Sequence, residues 1–506
     1  MSGMVVVCGS GQESRVRKMF APIAHRGPAI SGLSEQNGIC MAQNYLQADT
    51  AGARGDEPVP VKHAENGRLR VCYDGQMGNW RELARDYKVE DGPYREERIL
   101  LELYKRHGRE MLSSLDDAIY ALVVQDGDEI FAARDPFGIK TLFYGWKDGR
   151  LCLASELKGL AETVEEAREF PPGHFMGKDG KPVCFATLPQ TPPKRMHEDL
   201  DKMIEGVRGI IQKSLSERVD FSLPTASLLS GGMDSSVIAM LAARMVREKF
   251  GPEARLRTYA IGVGESEDVR SARIMAEHIG SDHQELVVTL DEVVEALPQV
   301  VYHLESFDPS LVRSAVSNYL VSGRARRDGV EVLLSGEGGD EMFCGYMYLK
   351  EVPDEELFAK QMECLSYLHN IASLRLDRMN HCHSVRVVAP LISGELFRYA
   401  SCIPAEYKIK PEGGEKIEKW IFRKAFEKDL PDAIAWRLKQ EFSQGSGSAA
   451  LLPAYFDEAV SDEEFEEARA KYPVVRSKEE LYYFRIFTEH YGDGAAVKTV
   501  GQWVSL

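Results

Sequence analysis

Seven residues carry the strongest chemical signal in this chain: Ser230, Gly231, Gly232, Met233, Asp234, Ser235 and Ser236. They follow the apolar run Ala226 to Leu229 and open directly into the apolar, helix-favouring stretch VIAMLAARMVREKF. Two glycines let the backbone approach a bound anion, three hydroxyls add donors, and a helix N-terminus presents unpaired N–H groups with a partial positive charge. The expected ligand is phosphate. The loop has neither the Gly-Lys-Ser/Thr of the P-loop nor the G-x-G-x-x-G of a dinucleotide site, which removes both of those readings. The plain alternative is a Gly-Ser turn with an ordinary helix cap; the strand before the loop and the helix after it favour the phosphate cradle. A second cluster, Ser335, Gly336, Glu337, Gly338, Gly339, Asp340 and Glu341, follows another apolar run, VEVLL. If both loops leave the carboxyl edge of one parallel sheet, Asp234 and Asp340 approach one another and share a hard cation, Mg²⁺, in pyrophosphate chemistry. The plain alternative for Asp340 is a helix cap.

Those loops need a sheet to hold them, and the surrounding pattern supplies one. Apolar strands alternate with helices in ASLLSGGMDSS, RLRTYAIGV, DVRSARIMAEHIG, HQELVVTL and VEVLLSGEGGDEMF, which predicts an α/β doubly wound parallel sheet. The first 187 residues differ. Short β-rich runs such as MVVVCG, RLRVCYDG and AIYALVVQDGDEIFAARDPFG, bounded by D-G and P-F-G turns, predict strands in two sheets packed face to face. Helices are expected near Glu13 to Ala24 and Tyr94 to His107. Prolines in Leu188 to Met196 interrupt both patterns. The expected organisation is a domain over 1–187, a linker over 188–196 and a domain over 197–506, mostly helical after Pro353, with DEEFEEARAKY as a solvated helix face.

A chain of 506 residues has room for about two to four domains. Hydrophobic residues at 44% and charged residues at 28% exclude a disordered chain. The 62 basic and 79 acidic residues leave a net charge of −17, which opposes attraction to nucleic acid or to an anionic membrane. With no apolar run of transmembrane length and no secretory signal pattern in MSGMVVVCGSGQES, a cytoplasmic protein is expected. Nine scattered cysteines without a C-x-x-C pair indicate reduced thiols rather than disulfides or structural zinc.

The loop SGGMDSS resembles the pyrophosphate-binding loop of the ATP pyrophosphatases. HRGP (His25 to Pro28), ARDPFGIKTLFYG, LASELKGL, FPPGH, YHLESFDPSLVRS, SGEGGDEMFCGY and WRLKQEFSQG then occur in the order found in the B-type, glutamine-hydrolysing asparagine synthetases, from residue 1 to about residue 490. The resemblance implies an N-terminal nucleophile-type ββ sandwich covered by helices (αββα), of the class II glutamine amidotransferase kind, followed by an ATP pyrophosphatase domain. It implies ATP and Mg²⁺ as cofactors, with Asp234 and Asp340 as metal ligands. Leu229, Ser230, Gly231, Gly232, Asp234, Ser235, Ser236, Ile261 and Gly336 would bind the nucleotide. By the same resemblance Lys439 neutralises charge developing on phosphate or acyl oxygens. Glu337, in a retained SGEG form, joins it as a catalytic residue.

The chain also departs from that family. Met1-Ser2-Gly3 stands where the family has Met-Cys-Gly, and a serine hydroxyl is a far weaker nucleophile than a thiol near neutral pH. Tyr45 aligns with the arginine for the glutamine carboxylate, Asp74-Gly75-Gln76 with Asn-Gly-Glu, and Glu96 with a later aspartate. The expectation is an inactive glutaminase domain, with Cys8 a buried strand-end residue. In the second half VRVVAPLIS, Val385 to Ser393, aligns with VEARVPFLD, placing Arg386 at a catalytic glutamate. A guanidinium cannot act as a base, so Arg386 either recognises a substrate carboxylate or forms a structural ion pair. His381 and His383 lie just upstream and offer an alternative base.

The expected activity is an ATP-dependent, AMP-forming ligation. A small-molecule carboxylate is adenylated, pyrophosphate leaves, and ammonia or an amine forms the amide. Self-association as a homodimer stays open. The alternatives are an intramolecular cyclase resembling β-lactam synthetase or lasso-peptide cyclase, and a catalytically silent nucleotide-binding homologue.

Overall fold

A computed structural model describes residues 2–50, 59–64, 66–194, 199–440 and 442–502. Two units are distinguished by their internal packing: Met1–Leu188 with Leu368–Asn370 and Tyr491–Val500, and Pro189–Tyr367 with Ile371–His490 and Gly501–Leu506. Residues 195 and 196 of the expected linker lie outside the described residues.

The first unit is built on two six-stranded antiparallel sheets. One runs in the order Arg168–Glu169, Phe143–Lys147, Arg150–Ala154, Ser2–Cys8, Ile39–Tyr45, Ile30–Gln36. The other runs Val183–Cys184, His174–Met176, Glu129–Arg134, Ala118–Asp126, Leu69–Met77, Val61–Lys62. Side-chain alternation sends Met4, Val6, Cys8, Ile39 and Met41 from the first sheet into one core with Cys72, Ala121, Val123, Ile130 and Ala132 from the second. The opposite face of the second sheet, through Leu69, Val71, Tyr73, Leu122 and Val124, packs on the helices Trp80–Tyr87 and Arg95–His107. The helix Glu13–Phe20 lies against the strand Ser2–Cys8. The result is the αββα sandwich. The first helix stops at Phe20 rather than Ala24, because Pro22 has no N–H for the α ladder and the chain tightens into a 3₁₀ turn, Ala21–Arg26.

The second unit contains a five-stranded parallel sheet in the order Asp282–Val288, Arg257–Val263, Thr225–Leu228, Val332–Leu334, Arg386–Val388. The fifth strand, in VRVVAPLIS, was not expected; it is only three residues long and stops ahead of Pro390. Winding proceeds outward in both directions from the Thr225–Leu228 and Val332–Leu334 pair, so the chain reverses direction between them. A crevice opens at the carboxyl ends of strands at such a switch point. Both Gly-rich loops emerge there. Helices flank the sheet, among them Met233–Phe250 and Pro309–Arg327; the latter starts where Asp308 accepts from the Leu311 N–H and Pro309 takes the first helical position. The acidic stretch forms the helix Asp462–Lys471, with a Ser461–Glu464 capping box and no buried residue. None of the nine cysteines is joined in a disulfide. No helix among the described residues is long and apolar enough to cross a membrane.

In the first unit a buried charge network crosses between sequence-distant segments. Arg26, fully buried, pairs with Asp74 at 2.7 Å and with Glu156 at 2.8 Å; both carboxylates are buried too. Lys158 pairs with Glu156 at 2.5 Å. Removing Arg26 would strip two buried carboxylates of a cation, which costs about 3–5 kcal/mol. Arg26→Met is therefore expected to lower the stability of this unit by that amount in denaturant unfolding. A loss below about 1 kcal/mol would show that the network is not structural.

Candidate active site

The switch point positions the phosphate loop. Leu229, buried, extends the sheet by donating its N–H to the Tyr259 carbonyl at 2.8 Å, and Ser230 begins the turn. Gly231 adopts φ +69°, and a side chain there would collide with Ser271 on the next helix, so both backbone and space demand glycine. The Ser230 and Ser235 hydroxyls lie 3.0 Å apart, and Ser230 Oγ accepts from the Gly232 N–H at 3.3 Å. The helix Met233–Phe250 has no side-chain cap at Gly232, which leaves its first N–H groups to the crevice. Ser230, Gly232, Asp234 and Ser235 line a cavity of about 230 Å³ together with Leu229, Ile261, Gly336, Glu337, Asp340 and Lys439. Gly231 shapes the turn, and Ser236 is fully buried behind it; neither lines the cavity.

Asp234 and Asp340 do approach one another, and a lysine not singled out from the sequence stands between them. Lys419 Nζ donates to Asp234 Oδ2 at 2.5 Å and lies 2.7 Å from Asp340 Oδ1. Lys439 Nζ donates to Asp340 Oδ2 at 2.6 Å. The cluster fits because three neighbours have no side chain. A Cβ on Gly336 would lie 2.5 Å from the Ser235 nitrogen, one on Gly339 would overlap the Asp234 carboxylate, and one on Gly345 would overlap both Lys419 and Asp340. Burial pushes the Asp340 carboxyl up, but Lys419 and Lys439 outweigh it and hold the group well below the carboxylate range. Burial likewise pushes Lys439 down, and Asp340 and Asp234 reverse the direction and raise it. Asp234 goes the other way: burial raises it more than Lys419 lowers it. Asp234 Oδ1 is buried without a hydrogen-bond partner. A Mg²⁺ ion binds through one or two carboxylates and keeps phosphate oxygens and waters as its other ligands, a donor set that this pair fits.

Beyond the lysines, Glu337 forms an ion pair with Arg375, whose guanidinium also lies 5.2 Å from the Phe442 ring centroid. Burial lowers Arg375 to about 10. Arg437 donates to the Ser230 carbonyl at 3.0 Å and to Asp268 at 2.8 Å, and Asp268 in turn fits only because residue 445 is glycine. Lys419, Arg375 and Asp268 were missed in the sequence. Asp268 had a detectable signal, since it sits in the first turn of the helix that follows a central strand. Lys419 and Arg375 had none, because nothing in EKWIFRKAF or ASLRLDRM distinguishes them from ordinary helix cations.

Arg386 is not brought into this cavity. It opens its strand in register with Val332, at the amino end of the sheet, whereas the loops leave from the carboxyl end beyond Leu334 and Val388. His381 is buried at the end of the helix Ala372–His381 beside Asp377, and His383 packs against Tyr319; neither lines the cavity.

In the first unit Ser2 is fully buried within a strand and faces Tyr45 in register. Its hydroxyl donates to the Tyr73 carbonyl at 2.5 Å and accepts from Gln43 Nε2 at 2.8 Å. Its N–H donates to Asp74, the carboxylate that Arg26 already holds. Glu96 accepts from the Tyr73 hydroxyl at 2.7 Å and the Met77 N–H at 3.0 Å. Gln76, like Asp74, is buried. Cys8 closes the strand, and burial pushes its thiol up to about 12, the reverse of what a nucleophile needs.

Comparison with known proteins places these features in context. The profile described as asparagine synthase matches residues 206–363 and 350–503, and that described as glutamine amidotransferase domain matches residues 1–215. An asparagine synthetase [glutamine-hydrolyzing] of Gallus gallus is 32% identical, covering 97% of this chain and 94% of its own length. One from Triphysaria versicolor is 30% identical, over 99% of this chain and 88% of its own length. A solved structure titled as the allosteric regulatory enzyme of purine biosynthesis matches with a TM-score of 0.32 and 14% identity, over 56% of this chain and 80% of its own.

The glycine packing gives a direct test. Gly339→Ala forces a methyl group onto the Asp234 carboxylate, an overpacking that costs about 1–3 kcal/mol. The second unit is expected to lose that stability in thermal unfolding and to bind inorganic pyrophosphate at least about tenfold more weakly. Unchanged pyrophosphate affinity would separate the cluster from the phosphate site.

Proposed function

This chain belongs to the asparagine synthetase family, and we propose that, as an ATP-dependent amide-forming ligase, it activates a small-molecule carboxylate by adenylation and joins it to free ammonia or an amine. The observation that carries this reading is the meeting of Asp234, Asp340, Lys419 and Lys439 beside an uncapped helix N-terminus. A carboxylate is a poor acyl donor until one oxygen is converted into a leaving group. In the proposed first step a substrate carboxylate oxygen bonds to the α-phosphorus of ATP, and the bond to the diphosphate breaks. Ser230, Ser235 and the helix N–H groups bind the departing diphosphate. Lys439, freed from Asp340, neutralises its developing charge. Asp234 and Asp340 would hold Mg²⁺, which supplies further charge neutralisation when bound. In the second step nitrogen bonds to the acyl carbon, the C–O bond to AMP breaks, and a proton leaves the nitrogen. Glu337 lines the same cavity and is the carboxylate proposed to take it.

Features of the first unit support free ammonia or an amine, rather than glutamine, as the nitrogen source. With no thiol at residue 2, its hydroxyl committed to the Tyr73 carbonyl, and Asp74 closed by Arg26, glutamine hydrolysis has no available nucleophile. Tyr45, against Tyr94 at 5.0 Å between ring centroids, offers a glutamine carboxylate no cation.

Two measurements test the proposal. Pyrophosphate release with a panel of carboxylic acids is expected to yield amide with ammonium and at least about 100-fold less with glutamine; equal use of glutamine would overturn the inert first unit. Asp234→Asn and Lys439→Met are each expected to lower pyrophosphate release by about 100-fold or more, the scale on which charge-stabilising groups act. Turnover left intact by both would overturn adenylation at this site.

A further inference from the structure

Lys419 stands in an unusual position for a lysine. Its backbone is left-handed, φ +53°, directly before the helix Trp420–Phe426, and its side chain is 2% exposed. That conformation is costly for a residue with a side chain and persists only where the surroundings enforce it. The ammonium bridges oxygens of two carboxylates from separate loops, and Gly345 makes room for its stem. Two aspartates and two lysines balance in charge. A bare divalent cation added here would leave positive charge less well compensated in a partly buried site, whereas a divalent cation arriving with a diphosphate brings its own anion. Asp234 and Asp340 would hold a divalent cation through carboxylates that Lys419 already pairs with, so the ammonium and the cation would compete for the same two groups.

We propose that Lys419 is a positioning residue that occupies the space between the two metal-binding carboxylates and keeps it closed to a divalent cation until a diphosphate gives the ammonium another partner. The inference deepens the adenylation reading and rests on it. Lys419 preorganises the two carboxylates, and its displacement couples metal entry to nucleotide entry. Lys439 contacts Asp340 alone and does not span the pair.

The test reads metal binding on the full chain rather than turnover. Mn²⁺ is titrated alone and with inorganic pyrophosphate, and protein-bound Mn²⁺ is measured by equilibrium dialysis against protein-free solutions of the same Mn²⁺ and pyrophosphate content. The wild-type chain is expected to bind Mn²⁺ at least about tenfold more tightly with pyrophosphate than without. Lys419→Met is expected to bind Mn²⁺ alone at least about tenfold more tightly than wild type and to lose most of the coupling, while Lys419→Arg keeps the site closed. Lys439→Met is expected to change metal affinity less than Lys419→Met; an equal gain in both would reduce the effect to net charge and overturn the proposal. Weaker or unchanged Mn²⁺ binding by Lys419→Met would also overturn it, since a merely structural lysine would let the carboxylates separate. If Lys419→Met does not fold, the wild-type comparison decides alone, and equal affinity with and without pyrophosphate overturns the proposal. Failure of adenylation itself appears separately, as absent pyrophosphate release.

Discussion

The second unit depends on a local neutrality: two carboxylates in the first turns of two helices and two ammonium groups from the helical half occupy one small volume. Neither sign is tolerable there alone, because an unpaired buried charge costs several kcal/mol. Every neighbouring choice serves this balance. The sheet reverses winding where the loops meet, Gly336, Gly339 and Gly345 give up side chains to admit the charges, and Lys419 accepts a strained backbone to reach them. The same charges line the cavity beside the Ser230 loop, where an arriving phosphate would meet both ammonium groups.

The first unit answers a similar problem differently. Arg26, Asp74, Glu156 and Lys158 also form a buried charge cluster, yet its members close on one another and on the Ser2 backbone. Glu97, pushed up to about 7 by burial, is a further carboxyl held in an apolar setting beneath the second sheet. Among the described residues, nothing comparable to the SGGMDSS loop lies beside these groups to receive an anion. One network lines a cavity and the other is enclosed within its unit.

Much of this was legible before the structure. Strand and helix alternation gave the parallel sheet, period-two runs gave the sandwich, and SGGMDSS and SGEGGDE gave the two acidic loops, because these signals are local and have a period or a turn behind them. The lysine between the aspartates was not, since Lys419 lies 185 residues from Asp234 and no spacing rule reaches that far. Arg375 likewise looked like one cation among several on an amphipathic helix. Arg386 was drawn toward the site by alignment, but a strand's register decides which end of the sheet a residue occupies, and register is not written in three residues.

One further feature bears on how a catalytic cycle would end. Arg437 grips the Ser230 carbonyl and Asp268, and two residues later Lys439 grips Asp340. The short stretch carrying both is therefore tied at three points on three elements: Ser230 in the phosphate loop, Asp268 in the helix Glu267–Ile279 and Asp340 in the helix Gly339–Phe343. Because Arg437 is tied to Ser230 and Asp268, the Lys439 ammonium would return to Asp340 from the same fixed base once product had left.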